Sequence, residues 1–106
     1  MNQINGKGEE QIIAQLSIYI DDSKLNVWHL ALLAAILILG YRQGDSRRIK
    51  VSRSKLMQLS HIHTVPTYHK YFKQLQDLGY IKYVPSYHPG YKSEVELYEN
   101  GLSQEF

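Results

Sequence analysis

With 106 residues, 43% of them hydrophobic and 21% charged, the chain has room for one domain with a modest core. It has no cysteine, which rules out disulfides, thiolate metal sites and cysteine nucleophiles. The net charge of +2 hides a segregation: Tyr41 to Lys92 holds ten basic residues against two acids, a local +8, whereas the flanks together carry −6.

Residues 1–8, with two glycines, read as a loose tail and lack the basic-then-apolar order of a signal peptide. From Glu9 to about Ile20, Ile12, Ile13, Leu16 and Ile20 share one side of a helix, with Gln11, Gln15 and Ser17 elsewhere. Glu9 and Glu10 favour its N-terminal dipole. SIYID, at its end, also fits a short strand. Asp21 to Asn26 is polar and offers Ser23 or Asn26 as a cap. The next helix, about Leu25 to Tyr41, is the most apolar piece of the chain. Trp28, Leu32, Ala35, Ile36 and Leu39 form one face, and Leu30, Leu33, Leu37 and Ile38 cover much of the rest. A helix apolar nearly all round needs cover on more than one side, from the N-terminal helix or from a second copy of the protein. A homodimer through residues 25–41 is expected. The longest apolar run, Leu30 to Leu39, is too short to cross a bilayer, so no membrane partner and a cytoplasmic location are expected.

Gly40 and RQGDSRR read as a loop, and RIKVS, alternating at Ile49 and Val51, as a short strand. Ser52 caps a helix running to about Ser60, with Leu56, Met57 and Leu59 inward. After a turn at His61 to His63, the stretch TVPTYHKYFKQLQDLG, Thr64 to Gly79, has the signals of a helix with both ends. Thr64 is its N-cap, Pro66 sits in the first turn where a missing N–H costs no bond, and Gly79 is its left-handed terminator. Tyr68, Phe72, Leu75 and Leu78 make an apolar stripe; the opposite face carries Thr67, His69, Lys70, Lys73 and Gln74, with Asp77 its one acid. YIKYV and SEVELY read as two strands joined through PSYHPG, where Pro89-Gly90 signals a turn.

Helix, short strand, helix, turn, helix, two-stranded ribbon is the layout of a winged helix-turn-helix. The expected fold is therefore mainly α with a small β-ribbon (α+β). It places an N-terminal tail and helix over 1–24, a winged-helix domain over 25–98 and a C-terminal tail over 99–106. TYHKYFKQLQDLGYIKYVPSY, Thr67 to Tyr87, resembles the Leu-x-x-Leu-Gly-(Tyr)-Ile block of winged-helix regulators. More narrowly, it is similar to the TYHK…GYIKY-PSY-P run of small winged-helix proteins carried on bacterial conjugative and other mobile elements. The resemblance implies a DNA-binding regulator. The turn Ser60 to Val65 departs from commoner relatives by having HIH in place of a glycine.

Roles follow from position. Thr64, Pro66, Thr67, His69, Lys70 and Lys73 would form the DNA-facing side of the recognition helix. Thr67 and His69 are the best placed for base edges, and Lys70 and Lys73 for phosphates. Arg53 and Lys55 would clamp the backbone, and Tyr87, His88 and Lys92 would touch from the ribbon tip. Solvated surface is the plain alternative for any one of them.

Six of the nine tyrosines lie between Tyr68 and Tyr91, but Tyr68, Tyr80 and Tyr83 are needed for packing, which confines any stacking on bases to Tyr87 and Tyr91. His61, His63, His69 and His88 read as polar surface or turn residues rather than a zinc site. No Ser–His–acid order, glycine-rich phosphate loop or isolated carboxylate pair is present, so no enzyme, cofactor or small-molecule ligand is expected. The expected function is sequence-specific binding of double-stranded DNA, as a small transcriptional regulator or accessory factor of a mobile element. The alternatives are a winged-helix protein-interaction module and a replication or excision accessory protein.

Overall fold

A computed structural model describes residues 6–45 and 47–98. In chain order these form α1 (Gly6–Ile20), α2 (Val27–Gln43), β1 (Ile49–Val51), α3 (Arg53–Ser60), α4 (Val65–Asp77), β2 (Ile81–Val84) and β3 (Ser93–Leu97). The described residues form an α+β domain of four helices and one antiparallel sheet. The C-terminal tail expected over 99–106 lies outside the described residues.

The helix starts follow their caps. The Asn26 side chain accepts from the amides of Trp28 and His29 at 2.9 and 3.2 Å, while its own amide donates to Nδ1 of His29 at 3.0 Å. This reciprocal arrangement is a capping box with histidine in the third helical position, and it starts α2 at Val27 rather than Leu25. Ser52 accepts from the Lys55 amide at 3.2 Å, and Thr64 from the Thr67 amide at 3.4 Å.

The helix ends share one device. Gly44, His61 and Gly79 have φ of 72°, 62° and 85°, the left-handed region, just past α2, α3 and α4. After α4 the Gly79 amide donates to the Gln76 carbonyl at 3.1 Å and the Tyr80 amide to the Leu75 carbonyl at 2.9 Å, satisfying two orphan acceptors. Across the HIH turn, the amides of His61 and Ile62 bond the carbonyls of Gln58 and Met57 in the same way. A histidine thus does the work for which glycine is usual.

Four sequence expectations are corrected. Helix α1 begins at Gly6, inside the expected tail, and takes in SIYI up to Ile20, so that stretch is not a strand. Its inward side is Ile12, Leu16 and Tyr19, whereas Ile13 and Ile20 are each 64% exposed. Tyr19 wins the inward place because it is fully buried against the Tyr80 ring while its hydroxyl still donates to the Tyr98 carbonyl at 2.9 Å. Gly40 is not in a loop but buried within α2, where a Cβ would come within 2.9 Å of Ile49 Cδ1 and 3.0 Å of the Asp45 carbonyl oxygen. Its absent side chain lets β1 lie close against the helix. Finally, the ribbon is a three-stranded sheet in the order β1-β3-β2, with Ile49 opposite Val95 and Tyr83 also opposite Val95. Three residues of β1 could not stand alone as a strand; they add to the ribbon's edge.

Helix α2 forms the centre. Leu32, Leu33 and Ile36 are fully buried, and α1, α3, α4 and β1 all pack on this helix. Its cover therefore comes from the chain itself, and Trp28, expected on the buried face, is 40% exposed at its edge and stacked on Tyr71. Leu56 of α3, Leu75 and Phe72 of α4, and Ile49, Ile81 and Val95 of the sheet complete the core. Each such side chain contributes about 1.5–3 kcal/mol when fully buried. Among the described residues no helix is long and apolar enough to cross a membrane.

Candidate nucleic-acid interface

Helix α4 has three differently dressed sides. Tyr68, Phe72 and Leu75 are buried, with the rings of Tyr68 and Phe72 stacked at 5.2 Å. Along the outer ridge Pro66, Lys70, Lys73 and Asp77, spaced by four, three and four, are all exposed. The flank toward α2 carries Gln74, whose Oε1 lies 2.7 Å from Nε2 of buried His29. Gln74 therefore does not belong to the open face on which its position in the sequence placed it. Thr67 is also half-buried, and its hydroxyl oxygen accepts from that of Thr64 at 2.8 Å. Both threonine side chains act at the cap.

The other flank of α4 borders a groove of about 440 Å3. His69 and Gln76 line it from α4, Ser52 and Arg53 from the start of α3, and Lys92 and Ser93 from the start of β3. The fold thus brings together Arg53, His69 and Lys92, three candidate residues from three elements. Tyr68 and Tyr83 form part of its apolar wall. Burial pushes the Tyr68 hydroxyl up to about 12, with Tyr83 adding to the rise and Arg53 opposing it, so this phenol stays neutral. The arrangement can hold an anion between cationic side chains and offer neutral hydroxyls and an amide beside it.

Gln76 and Ser93 were not foreseen as part of this surface. Gln76 could have been: it follows His69 by seven residues, so both lie on one side of the helix. Ser93 had no local signal, because only the sheet register brings β3 beside α4.

The remaining candidates lie apart from the groove. Lys55 is exposed on α3, and Tyr87 and His88 project from the turn between β2 and β3. Comparison with family models, with curated proteins and with solved structures finds no match.

The electrostatics of these cations differ. Lys73 bonds Asp77 at 2.9 Å, with both side chains well exposed. Lys70 has its ammonium 5.2 Å from the centre of the Tyr71 ring, which steadies the charge without neutralising it. In the sheet, Lys50 stands opposite Glu94 and Lys82 opposite Glu96, and Arg48 reaches Glu94 at 4.0 Å. Glu94 and Glu96 thus fold back onto part of the basic middle. On α3, α4 and the end of the β2–β3 turn, Arg53, Lys55, Lys70, Lys73 and Lys92 are exposed, Lys73 being the one paired with Asp77. The four histidines outside α2 are spread over the turn at His61, the cap region at His63, the groove at His69 and the sheet tip at His88, and among the described residues no group of three or more metal-ligating side chains converges.

Proposed function

We propose that the protein is a winged helix-turn-helix DNA-binding protein of the bacterial cytoplasm, acting as a small transcriptional regulator or accessory factor of a mobile element. In this reading α3 and α4 are the helix-turn-helix, α4 enters the major groove, and β2–β3 is the wing. One observation carries it: the ridge Pro66, Lys70, Lys73 is exposed along α4 beside a groove whose rim holds Arg53, His69 and Lys92. Lysines on the ridge suit phosphates, and His69 suits a base edge or a phosphate.

Selection of bound fragments from random duplex DNA, followed by sequencing, tests the proposal. Enrichment of a common motif is expected; recovery of no motif overturns sequence-specific binding and favours the protein-interaction alternative. The homodimer is carried into the proposal at the open end of α2, where Val27 is 70% and Trp28 40% exposed. It would give an inverted-repeat site with half-sites about one helical turn apart. Sedimentation as a monomer at high micromolar concentration removes it.

A further inference from the structure

Among the described residues the most exposed large hydrophobic side chains are Tyr87 and Tyr91, at 91% and 71%, and both belong to the β2–β3 turn. The core leaves these rings largely uncovered, and the turn beneath them is well braced. Ser93 Oγ accepts from the Ser86 amide at 3.1 Å and from the Tyr83 hydroxyl at 3.2 Å. Ser86 Oγ accepts from the His88 amide at 3.3 Å, and the Tyr91 amide donates to the His88 carbonyl at 3.1 Å. The His88 ring meets the Tyr91 ring at 4.9 Å and 61°, an edge contact that leaves a face of Tyr91 open. Residues 85–92 contain no acid, and Lys92, directly after Tyr91, lies on the rim of the groove beside α4.

We propose that this turn binds unpaired nucleotide bases, so that the DNA this protein prefers is a duplex interrupted by a bulge, fork or melted stretch. The inference rests on the DNA-binding reading and adds the form of the DNA to it. A braced turn carrying free aromatic faces beside a cation suits a base, which has a π-face on both sides and a phosphate next to it. A fully paired duplex has its base faces already stacked and offers the rings nothing comparable.

The test compares, by fluorescence anisotropy, a fully paired duplex and the same duplex with a run of unpaired thymidines on one strand. The wild type should bind the bulged probe about fivefold or more tighter, the low end of aromatic–base stacking. The double substitution Tyr87→Ala, Tyr91→Ala should erase that preference by weakening binding of the bulged probe more than of the paired duplex, and Tyr87→Phe, Tyr91→Phe should keep it. A 2-aminopurine in the bulge should be quenched by wild type and not by the alanine variant. Equal affinity for both probes overturns the inference, as does a preference that survives in the alanine variant or an equal loss on both probes. In those cases a paired duplex still bound through Lys70 leaves the DNA-binding reading standing. Binding of neither probe overturns both.

Discussion

Nε2 of His29 lies 2.7 Å from Oε1 of Gln74, a partly buried hydrogen bond that ties the start of α2 to the middle of α4. Because Nδ1 already accepts from the Asn26 amide at 3.0 Å, Nε2 must carry the proton. Gln74→Leu would leave a buried donor unsatisfied and should lower stability by about 1–3 kcal/mol in urea denaturation. Gln74→Glu keeps an acceptor there and should cost less. Equal losses from the two substitutions would show that the acceptor is not what matters.

The Tyr80 hydroxyl donates to the Asp22 carboxylate, joining the loop after α1 to the strand end after α4. Partial burial pushes Asp22 up, but the bonds from Tyr80 and the Lys24 amide, with the Lys24 charge, outweigh it and hold the carboxyl below its ordinary 3.8. Its contribution is present above 3.8 and is lost as pH falls through the lowered folded value. Burial first, then the bond to Asp22 and its charge, raise the Tyr80 hydroxyl above its ordinary 10.0, so its contribution is present below 10.0 and lost as pH rises through the raised value. Melting temperatures across pH should show a neutral plateau that Tyr80→Phe lowers, with the acid limb of the variant displaced to higher pH. Superimposable acid limbs would sink this assignment.

His61 holds a left-handed conformation, φ 62°, at the end of α3, where a Cβ is unfavourable by about 1–2 kcal/mol. Glycine avoids that strain but loses more conformational entropy on folding. His61→Gly should therefore stabilise the protein by about 0.5–1 kcal/mol, and His61→Val should destabilise it by more than that. Chemical denaturation of the two variants reads both signs, and a loss of stability in the glycine variant would contradict the strain.

Lys70 and Lys73 should not behave alike in DNA binding. Lys73 is paired with Asp77, and Lys70 faces an aromatic ring instead. Salt titrations with duplex DNA should show Lys70→Ala lowering the slope by about one unit, the value for one lost phosphate contact. Lys73→Ala should lower it by less, and Asp77→Asn should tighten binding by freeing Lys73. Equal slopes for all three variants and the wild type would remove α4 from the phosphate contacts.

Much of this was legible in the chain. Thr64, Pro66 and Gly79 delimit α4, and Ser52 starts α3, because a cap acts on amides only a few residues away. The alternation around Ile49 and Val51 marks β1 for the same local reason. The inward side of α1 was not legible. Ile13 and Ile20 are as apolar as Ile12 and Leu16, and only the partners of Tyr19, Tyr80 just before β2 and Tyr98 just after β3, choose between the sides. Arg53, His69 and Lys92 could be named singly, but no pattern of spacing says that they share a groove.

By itself the sequence determined where α3 and α4 begin and end, which stripe of α4 is buried, and where cations concentrate, since each depends on neighbours within a turn or two of chain. The tertiary structure alone decided that β1 joins the ribbon, that Gly40 is a contact rather than a break, and that Glu94 and Glu96 return to face Lys50 and Lys82. Those outcomes depend on side chains brought together from distant parts of the chain, where packing and Coulomb interactions act through space and leave no local mark.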